Sequence, residues 1–368
     1  MIIRNNNHFF SYIFIGDIMK KLLVLLILLI PINVKASSMI AYDMDTNQIL
    51  YSNNIHETRP IASISKIMTA ILACESGKLD DVVIVGDEIN KSYGSGIYIR
   101  VGEEITLRDL VYGLMLRSGN DAAFAIAKYV GGTVDNFVVM MNDKASKLNM
   151  KDSTFNNPNG LDDKGGNISS TYDMALLTSY AMKNDEYRNI TKTKKHTLKT
   201  NMNYYSWTNK NKLLFMYKYT TGGKTGYTKI AKRTLVTTAS NNNMNIVIVT
   251  LNDGNDFNNH KNLYERLFDE YKGYNILKEG DISVSNLKDK NKYYIIDNFK
   301  YDLTEKDKDN IILKFDINNT KFDGNRIGKV NVYLNNKKLY TTDVYVKEKK
   351  KVTFWQNIKN FFKVGKDD

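Results

Sequence analysis

The segment Ser63-Ile-Ser-Lys66 opens an apolar run that is predicted to be helical as far as Ser76. A serine and a lysine at this spacing lie side by side on one face of a helix. Two more short segments follow in order, Ser118-Gly-Asn120 and Lys224-Thr-Gly226. Each segment alone is weak evidence, but the three in this order predict one site built from distant parts of the chain.

The first segment pairs a nucleophile with an amine base. Serine is a poor nucleophile at neutral pH, and a lysine serves as its base only when burial or a nearby cation lowers the lysine pKa. Ser63 is expected in the first helical turn, where free backbone N–H groups favour a developing oxyanion. Its neighbours Ile64, Ile67 and Met68 are apolar, which favours a buried, partly neutral Lys66. The competing interpretation is a helix-capping serine beside a solvated lysine.

The other two segments supply polar groups for a substrate. Ser118 can relay a proton to a leaving amine, and Asn120 can hold a substrate amide or orient a lysine. Lys224 and Thr225, on a predicted strand beside a cleft, can bind a terminal carboxylate. Gly226 lets a substrate backbone approach that strand closely. The simpler alternatives are a turn between helices and a glycine-rich turn with a solvated lysine.

Composition bounds the remaining possibilities. The 368 residues are 42% hydrophobic, enough for two domains with a buried core. The net charge of +12 indicates an anionic partner, or else biased use of lysine and asparagine codons. No nucleic-acid-binding motif occurs, so no nucleic-acid partner is predicted. The single cysteine, Cys74, excludes an intrachain disulfide and is expected to be a buried apolar residue.

Metal and cofactor chemistry has no support in the sequence. The histidines do not have the spacing of metal ligands, and neither a metal site nor a cofactor is predicted. No Gly-x-Ser-x-Gly segment occurs, which argues against a hydrolase with a Ser-His-Asp triad. The histidines are His8, His56, His196 and His260.

Residues 1–36 are predicted to be a leader and signal peptide. Lys20 and Lys21 precede an apolar run from Leu22 to Ile30, and Val34-Lys-Ala36 fits a cleavage site. The apolar run is short for a membrane span, which takes about 20 residues. Met19 is expected to be the true start. An uncleaved N-terminal anchor is the competing interpretation.

Residues 348–368 are predicted to form a basic amphipathic helix. Seven lysines and one glutamate lie between Lys347 and Lys366. Large apolar side chains recur on one helical face: Phe354, Trp355, Ile358, Phe361 and Phe362. Such a helix lies flat on anionic lipid, so residues 348–366 are expected to bind a membrane surface. Docking of this helix on its own domain is the alternative.

Two globular regions are expected between these termini. Residues 37–272 read as an α/β (α+β) domain with an antiparallel sheet flanked by helices, and residues 275–347 as a small all-β domain. The helices are predicted at 63–76, 107–117, 121–130, 135–148, 171–182 and 261–271. Hairpin turns are predicted at 241–243 and 335–336.

The three segments resemble those of the D-alanyl-D-alanine carboxypeptidases, the low-molecular-mass penicillin-binding proteins. Asn157-Pro-Asn-Gly-Leu161 and Ser170-Thr-Tyr-Asp-Met-Ala175 resemble further recurrent segments of that family. The likeness is good over residues 38 to about 270 and looser as far as about 347. It implies a serine β-lactamase-like transpeptidase domain, a small β domain and an amphipathic anchor.

The resemblance also implies catalytic roles. Ser63 would attack the penultimate D-Ala carbonyl of a peptidoglycan stem peptide that ends in D-Ala-D-Ala. Lys66 would accept its proton, and Ser118 would help pass it to the departing D-Ala. Water would then hydrolyse the acyl-enzyme. β-Lactam antibiotics would acylate the same serine and act as covalent inhibitors.

The remaining site residues would bind the substrate. By the resemblance, the terminal carboxylate sits on Lys224 and Thr225. The backbone N–H groups of Ser63 and Tyr227 would hold the oxyanion. Asn120 and Gly226 complete the expected substrate-binding set.

Several rival functions stay open. A class A β-lactamase uses a glutamate to activate the deacylating water, and no glutamate occurs here between Glu104 and Glu186. The motifs do not exclude transpeptidase or endopeptidase activity, and a catalytically silent wall- or membrane-binding protein is the rival from another class. The expected location is outside the cytoplasm, peripherally on the outer face of the membrane or in the cell-wall space.

Overall fold

The computed structural model describes residues 37–162, 165–283, 292–317 and 325–347. The predicted leader and signal peptide (1–36) and the predicted basic helix (348–368) lie outside these residues. Among the described residues, no helix has both the length and the apolar character needed to span a bilayer.

The strands of the described residues alternate with helices in the first two thirds of the chain and dominate the last third. The strands are β1 (Ser38–Asp43), β2 (Ile49–Asn53), β3 (Arg59–Pro60), β4 (Val82–Ile84), β5 (Glu104–Thr106), β6 (Ile168–Ser169), β7 (Lys195–Lys199), β8 (Tyr204–Thr208), β9 (Thr220–Thr228), β10 (Lys232–Asn241), β11 (Met244–Leu251), β12 (Lys272–Leu277), β13 (Gly280–Ile282), β14 (Tyr293–Ile295), β15 (Phe299–Leu303), β16 (Ile311–Ile317), β17 (Arg326–Leu334) and β18 (Lys337–Val346).

The helices of the described residues cluster between β3 and β9. They are α1 (Lys66–Glu75), α2 (Leu107–Tyr112), α3 (Asn120–Gly131), α4 (Val134–Lys147), α5 (Thr171–Ala181), α6 (Asp185–Lys192), α7 (Leu213–Met216), α8 (Asp256–Glu270) and α9 (Glu305–Lys308). A 3₁₀ turn, Ala62–Ser65, leads into α1, and a π-helical turn, Gly113–Arg117, follows α2.

These bounds correct several predicted helices. The helix expected at 63–76 begins as a 3₁₀ turn, and the one expected at 107–117 ends as a π turn. Helix α8 begins five residues before the predicted start, and α6 was not predicted. A single 3₁₀ or π turn changes the spacing of apolar residues only slightly. Apolar periodicity in the sequence therefore does not distinguish such a turn from an α-helix.

The central sheet has the strand order β2-β1-β11-β10-β9, and every pairing in it is antiparallel. Strands β10 and β11 consist largely of buried β-branched residues, because helices cover both faces of the sheet. Val247 and Val249 face the core that contains α1, and Ile246 and Ile248 face α8. This alternation along β11 follows from the two-residue period of a strand.

Helix α1 lies in the centre of the larger core. Nine consecutive residues from Lys66 to Cys74 are buried, so the helix is surrounded on all sides. A helix buried all round is normally apolar throughout, which makes the buried Lys66 exceptional. Cys74 is buried and free, as expected from its apolar neighbours.

The last third of the described chain is β-rich. Its larger sheet has the order β13-β14-β18-β17-β16, and β12 pairs separately with β15. Asn335 and Asn336 both have positive φ angles (48° and 67°), which suits the two-residue turn between β17 and β18. One helical turn, α9, interrupts the expected all-β segment. The predicted boundaries at 272 and 275 stay predictions.

The β-rich segment contacts the turn between β1 and β2. The side-chain amide of Gln48 accepts from the backbone N–H of Asp302 (2.6 Å) and donates to its carbonyl (3.1 Å). Thr46 donates to the Asp302 carboxylate at 3.0 Å, and Lys300 pairs with Asp45 at 2.6 Å. Asp302 is almost fully buried by these contacts.

Candidate active site

Ser63 lies in the 3₁₀ turn at the start of α1 and faces a cleft of about 300 Å³. The Lys66 Nζ donates to the Ser63 Oγ at 3.0 Å. The two residues are therefore in hydrogen-bond contact, as the spacing of the first segment predicts. A hydroxyl joined to an amine in this way is the arrangement that an activated nucleophile requires.

Lys66 is fully buried and makes two further hydrogen bonds. Its Nζ donates to the Asn120 Oδ1 at 2.7 Å and to the carbonyl of Asn159. Burial, and then the charges of Lys224 and Lys210, hold the pKa of Lys66 well below its usual value. An amine with a lowered pKa is neutral in a larger fraction of molecules and can accept a proton.

The turn Asn157–Gly160 supplies the carbonyl of Asn159 that accepts from Lys66. Thr69 of α1 donates to the carbonyl of Pro158 at 2.6 Å, which fixes this turn against the helix. Gly160 has a φ of +79°, and a Cβ built on it would lie 2.0 Å from the Ala62 carbonyl oxygen. Only glycine satisfies both conditions, so this position keeps the turn packed against the nucleophile segment.

Ser118 and Asn120 are placed by the π turn and the start of α3. Ser118 has a φ of 65°, the left-handed conformation, directly after the π turn. The Asn120 Nδ2 donates to the carbonyl of Tyr93, so both ends of its amide are used. Of the two roles expected for Asn120, orienting a lysine is the one this geometry displays.

Lys224 is the second buried lysine of the site. Its Nζ donates to the Ser118 Oγ at 3.0 Å and to the Thr225 carbonyl at 2.7 Å. Burial and the charge of Lys210 lower the pKa of Lys224 to about 7. Ser118 thus contacts Lys224, and among the described residues no hydrogen bond joins it to Lys66.

The end of β9 passes close to the backbone of Ser63. A Cβ built on Gly226 would lie 2.3 Å from the Thr234 Oγ1 and 3.0 Å from the Ser63 backbone nitrogen. The absence of a side chain at Gly226 therefore allows β9 to pass directly over the turn Ala62–Ser65. Thr225 and Tyr227 line the same cleft, and Tyr227 is 64% exposed.

Two residues that act on the buried lysines were not among the predicted site residues. Lys210 lines the cleft, donates to the Ser95 Oγ at 3.2 Å, and acts on the pKa of both buried lysines. Its own pKa is lowered by burial and by the charge of Arg117. Asn159 lies in a segment noticed for its resemblance, but its carbonyl contact with Lys66 was not predicted.

His260 and His196 contact the protein interior and lie apart from Ser63 in the chain. His260 is buried between the hydroxyls of Thr237 and Thr250, and burial lowers its pKa to about 3. His196 stacks on Tyr112 at a centroid distance of 3.8 Å. Within the described ranges, no group of three or more acidic, histidine or cysteine side chains could hold a metal ion.

Comparison with known proteins agrees with this geometry. A family model described as D-alanyl-D-alanine carboxypeptidase matches residues 29–255. The carboxypeptidase DacF of Bacillus subtilis is 36% identical over 221 residues, which cover 58% of this chain and 57% of the relative. DacD of Escherichia coli is 34% identical over 60% of this chain and 59% of the relative. The chain thus matches less than two thirds of the length of these curated relatives.

Solved structures extend the similarity into the β-rich segment. Penicillin binding protein 5 from Haemophilus influenzae superposes with a TM-score of 0.73 at 25% identity, over 86% of this chain and 97% of that one. Penicillin binding protein 6B from Escherichia coli gives a TM-score of 0.70 at 26% identity, over 85% and 96%. The expected fold class is confirmed. With the family model matching well over half of its residues, the chain belongs to the D-alanyl-D-alanine carboxypeptidase family.

Proposed function

We propose that the protein is a serine-type D-Ala-D-Ala carboxypeptidase that removes the terminal D-alanine from peptidoglycan stem pentapeptides. The observation that carries the proposal is the 3.0 Å hydrogen bond between Ser63 and the fully buried Lys66. Burial holds the pKa of this lysine well below its usual value, which favours the neutral amine that a base for the serine requires. The family membership supplies the substrate class.

In the acylation step, the Ser63 Oγ attacks the carbonyl carbon of the penultimate D-Ala while its proton passes to Lys66. The backbone N–H groups of Ser63 and Tyr227 hold the oxyanion, because β9 crosses the nucleophile turn at Gly226. As the C–N bond breaks, Ser118 gives its proton to the departing amine and takes the proton held by Lys66. This transfer requires Ser118 to approach Lys66, because in the described site Ser118 contacts Lys224. Water then hydrolyses the ester and releases the shortened peptide.

The substrate carboxylate is assigned to Lys224 and Thr225, with Lys210 beside them. Lys224 has a pKa near 7, and a bound carboxylate raises the pKa of a lysine that it contacts. A bound substrate carboxylate therefore favours the cationic form of Lys224. Its hydrogen bond to Ser118 turns the serine's own hydrogen away from Lys224 and towards the leaving amine.

Labelling with a fluorescent penicillin tests this proposal. The protein is expected to form one covalent adduct at Ser63 and to release D-Ala from a pentapeptide. Ser63→Ala should form no adduct. Ser65→Ala is the matched control, because Ser65 lies in the same turn and donates to the Ala62 carbonyl (2.7 Å), away from the lysine. If folded protein forms no adduct, or if Ser65→Ala loses labelling and Ser63→Ala keeps it, the proposal is wrong.

We further propose that the enzyme is exported and held peripherally at the outer face of the membrane. The support is the charge and apolar pattern of residues 1–36 and 348–366. The chain with and without residues 348–368 should be compared by co-sedimentation with phosphatidylglycerol vesicles. The full chain is expected to sediment and the shortened chain to stay in solution; equal sedimentation would contradict the anchor.

A further inference from the structure

A second cavity, of about 460 Å³, lies along strand β8. Its lining consists of residues 96–98, Arg100, Arg117 and residues 203–208, and it is called here the arginine groove. It shares no lining residue with the cleft at Ser63. Small-ligand sites have volumes of about 300 to 1,000 Å³. The groove is therefore large enough to hold a ligand of its own.

The arginine groove is cationic. Its lining contains two arginines, Arg100 and Arg117, and no acidic residue. Within the described parts of the chain, neither arginine forms an ion pair, and the Nη1 of Arg117 donates to the Thr208 carbonyl at 3.3 Å. The carboxylate of Glu103 is fully buried and accepts from the hydroxyl of Tyr205. Two guanidinium groups thus remain available to an anion, which each can bind through paired hydrogen bonds.

The arginine groove is also rich in aromatic side chains. Tyr98 and Tyr204 are 77% and 71% exposed, and both line the groove. Trp207 is buried, and its ring centroid lies 5.2 Å from that of Tyr205, with the planes inclined at 37°. The face of an aromatic ring carries partial negative charge and attracts the C–H groups that cover one face of a sugar ring. The groove therefore offers both anion contacts and flat apolar contacts.

Small polar side chains complete the lining. Ser206 and Thr208 are exposed, and within the described residues their hydroxyls make no hydrogen bond to the protein. The Asn203 Nδ2 donates to the Tyr205 hydroxyl at 3.1 Å, and its Oδ1 can accept from a ligand. Hydroxyl, amide, aromatic and guanidinium groups together match a sugar that carries a carboxylate. An acidic peptide would use the arginines but would leave the aromatic faces without a partner.

The walls of the groove are fixed in place before any ligand binds. The buried carboxylate of Asp121 accepts from the backbone N–H groups of Ile97 and Tyr98 at 2.6 to 3.0 Å. Tyr98 adopts a φ of 65°, which is unfavourable for a tyrosine. Strain that the surrounding structure holds in place is characteristic of binding sites.

We propose that the arginine groove binds an acidic carbohydrate, a chain of sugar rings that carry carboxylates. The sugar faces stack on Tyr98 and Tyr204, and the carboxylates bind Arg100 and Arg117. Because the groove and the cleft have separate linings, Ser63 stays accessible when the groove is occupied. The groove thus holds the protein on an acidic polymer, and this inference does not depend on the proposed function.

Three trimeric ligands test the inference on the full chain: trigalacturonic acid, its methyl ester, and triglutamate with blocked ends. The acid and the ester have the same sugar rings and differ in charge, whereas the acid and the peptide carry the same number of carboxylates. In calorimetric titrations, the acid should bind at least about tenfold more tightly than either of the others, and salt should weaken its binding. Equal binding of acid and ester would overturn the inference. Equal or tighter binding of the peptide would make the groove an acidic-peptide site and refute the carbohydrate.

Variants of the groove locate the binding site. Arg100→Gln, Arg117→Gln and Tyr204→Ala should each weaken binding of the acid at least about threefold, whereas Tyr204→Phe keeps the ring and should stay within about twofold. Arg266→Gln is the matched control, because Arg266 is an exposed arginine on α8 that stacks over Tyr51.

Two results with these variants would overturn the inference. If Arg266→Gln weakens binding as much as the groove variants do, the acid binds through the net charge of +12 and not in the groove. Penicillin labelling of Ser63 should be unchanged in Arg100→Gln and Tyr204→Ala, since the groove uses no residue of the cleft. If trigalacturonic acid instead blocks labelling of the unsubstituted protein, it occupies the cleft. The proposed function is tested separately, because labelling does not require the groove.

Discussion

The cleft at Ser63 and the contact between the first hairpin and β15 each bury two side chains that can carry charges of like sign. In the cleft, Lys66 and Lys224 are fully buried, and their pKa values are lowered, to about 7 for Lys224. At the contact, Asp43 and Asp302 are buried, and burial followed by the charge of Asp43 raises the pKa of Asp302 to about 7. Both arrangements weaken the charged form of the side chain.

The two pairs differ in what their altered protonation achieves. The lysines have lost affinity for protons and touch hydroxyl groups at the edge of an open cleft, as the proposed base and the proposed carboxylate receptor require. The aspartates have gained affinity for protons and are enclosed by protein, with the Asp302 Oδ1 left without a hydrogen-bond partner. The same physical effect therefore supports chemistry in one region and only costs stability in the other.

The largest effect is expected for Lys66→Gln. Acylation by penicillin should slow at least about 10³-fold because the base is lost. The free energy of unfolding should rise. In the wild-type protein, the side chain of Lys66 binds a proton more tightly in the unfolded chain than in the folded chain, which favours unfolding, and glutamine removes this difference. Since the pKa of Lys66 is lowered in the folded state, this gain should be larger at pH 6 than at pH 9. If Lys66→Gln stops acylation but also lowers the melting temperature, the burial of Lys66 does not cost stability as argued above.

Asp302→Asn should act on stability alone. A raised carboxyl pKa means that the folded state holds a proton longer than the unfolded state, so stability falls as the pH rises from about 4 to about 7. At pH 8 the variant should be more stable by about 1 to 3 kcal/mol, and the gain should vanish near pH 4. Thermal unfolding at several pH values measures this, and penicillin labelling should be unchanged. A pH-independent difference would show that the charge is not the cause.

The smallest effect is expected for Lys210→Gln, which should shift the pH profile of kcat/KM. The charge of Lys210 lowers the pKa of both Lys66 and Lys224, so its removal raises both values. The whole profile should move to higher pH by about half to one unit. Lys212→Gln is the control, because Lys212 lines the same cleft but is not among the charges acting on the two lysines. If the pH profile of kcat/KM does not shift in Lys210→Gln, the charge of Lys210 does not influence the pKa values of Lys66 and Lys224.

Much of the site was predictable because its chemistry lies in short local segments. The Ser63–Lys66 contact follows from helical spacing, and the fold class follows from the distribution of helices and strands. The placement of Lys210 was not predictable, since Asn209-Lys-Asn211 has no local pattern and reaches the cleft only through tertiary packing. The hydrogen bond between Lys224 and Ser118 was not predicted either. The sequence motifs indicate that Ser118 lies near Lys66 and Lys224 but not which of the two it contacts.

The irregular backbone was harder to predict than the residues that it positions. Gly160 is recognisable as a turn residue, but its 2.0 Å approach to the Ala62 carbonyl depends on two segments nearly a hundred residues apart. Helix α6 was missed because its apolar face is confined to a few buried residues such as Tyr187 and Ile190 in a mainly polar segment. Local sequence propensity does not report on contacts between distant segments, such as that between Gly160 and Ala62.

The number of residues in the π turn Gly113–Arg117 determines the direction in which Ser118 faces. A π turn accommodates one residue more than an α-helical turn, and one helical residue corresponds to a rotation of about 100°. Deleting a single residue there would let α2 continue as a regular helix, and Ser118 would turn away from Lys224 without any change in its own chemistry. A frame-preserving loss of one codon in this segment is therefore more disruptive than most substitutions in it.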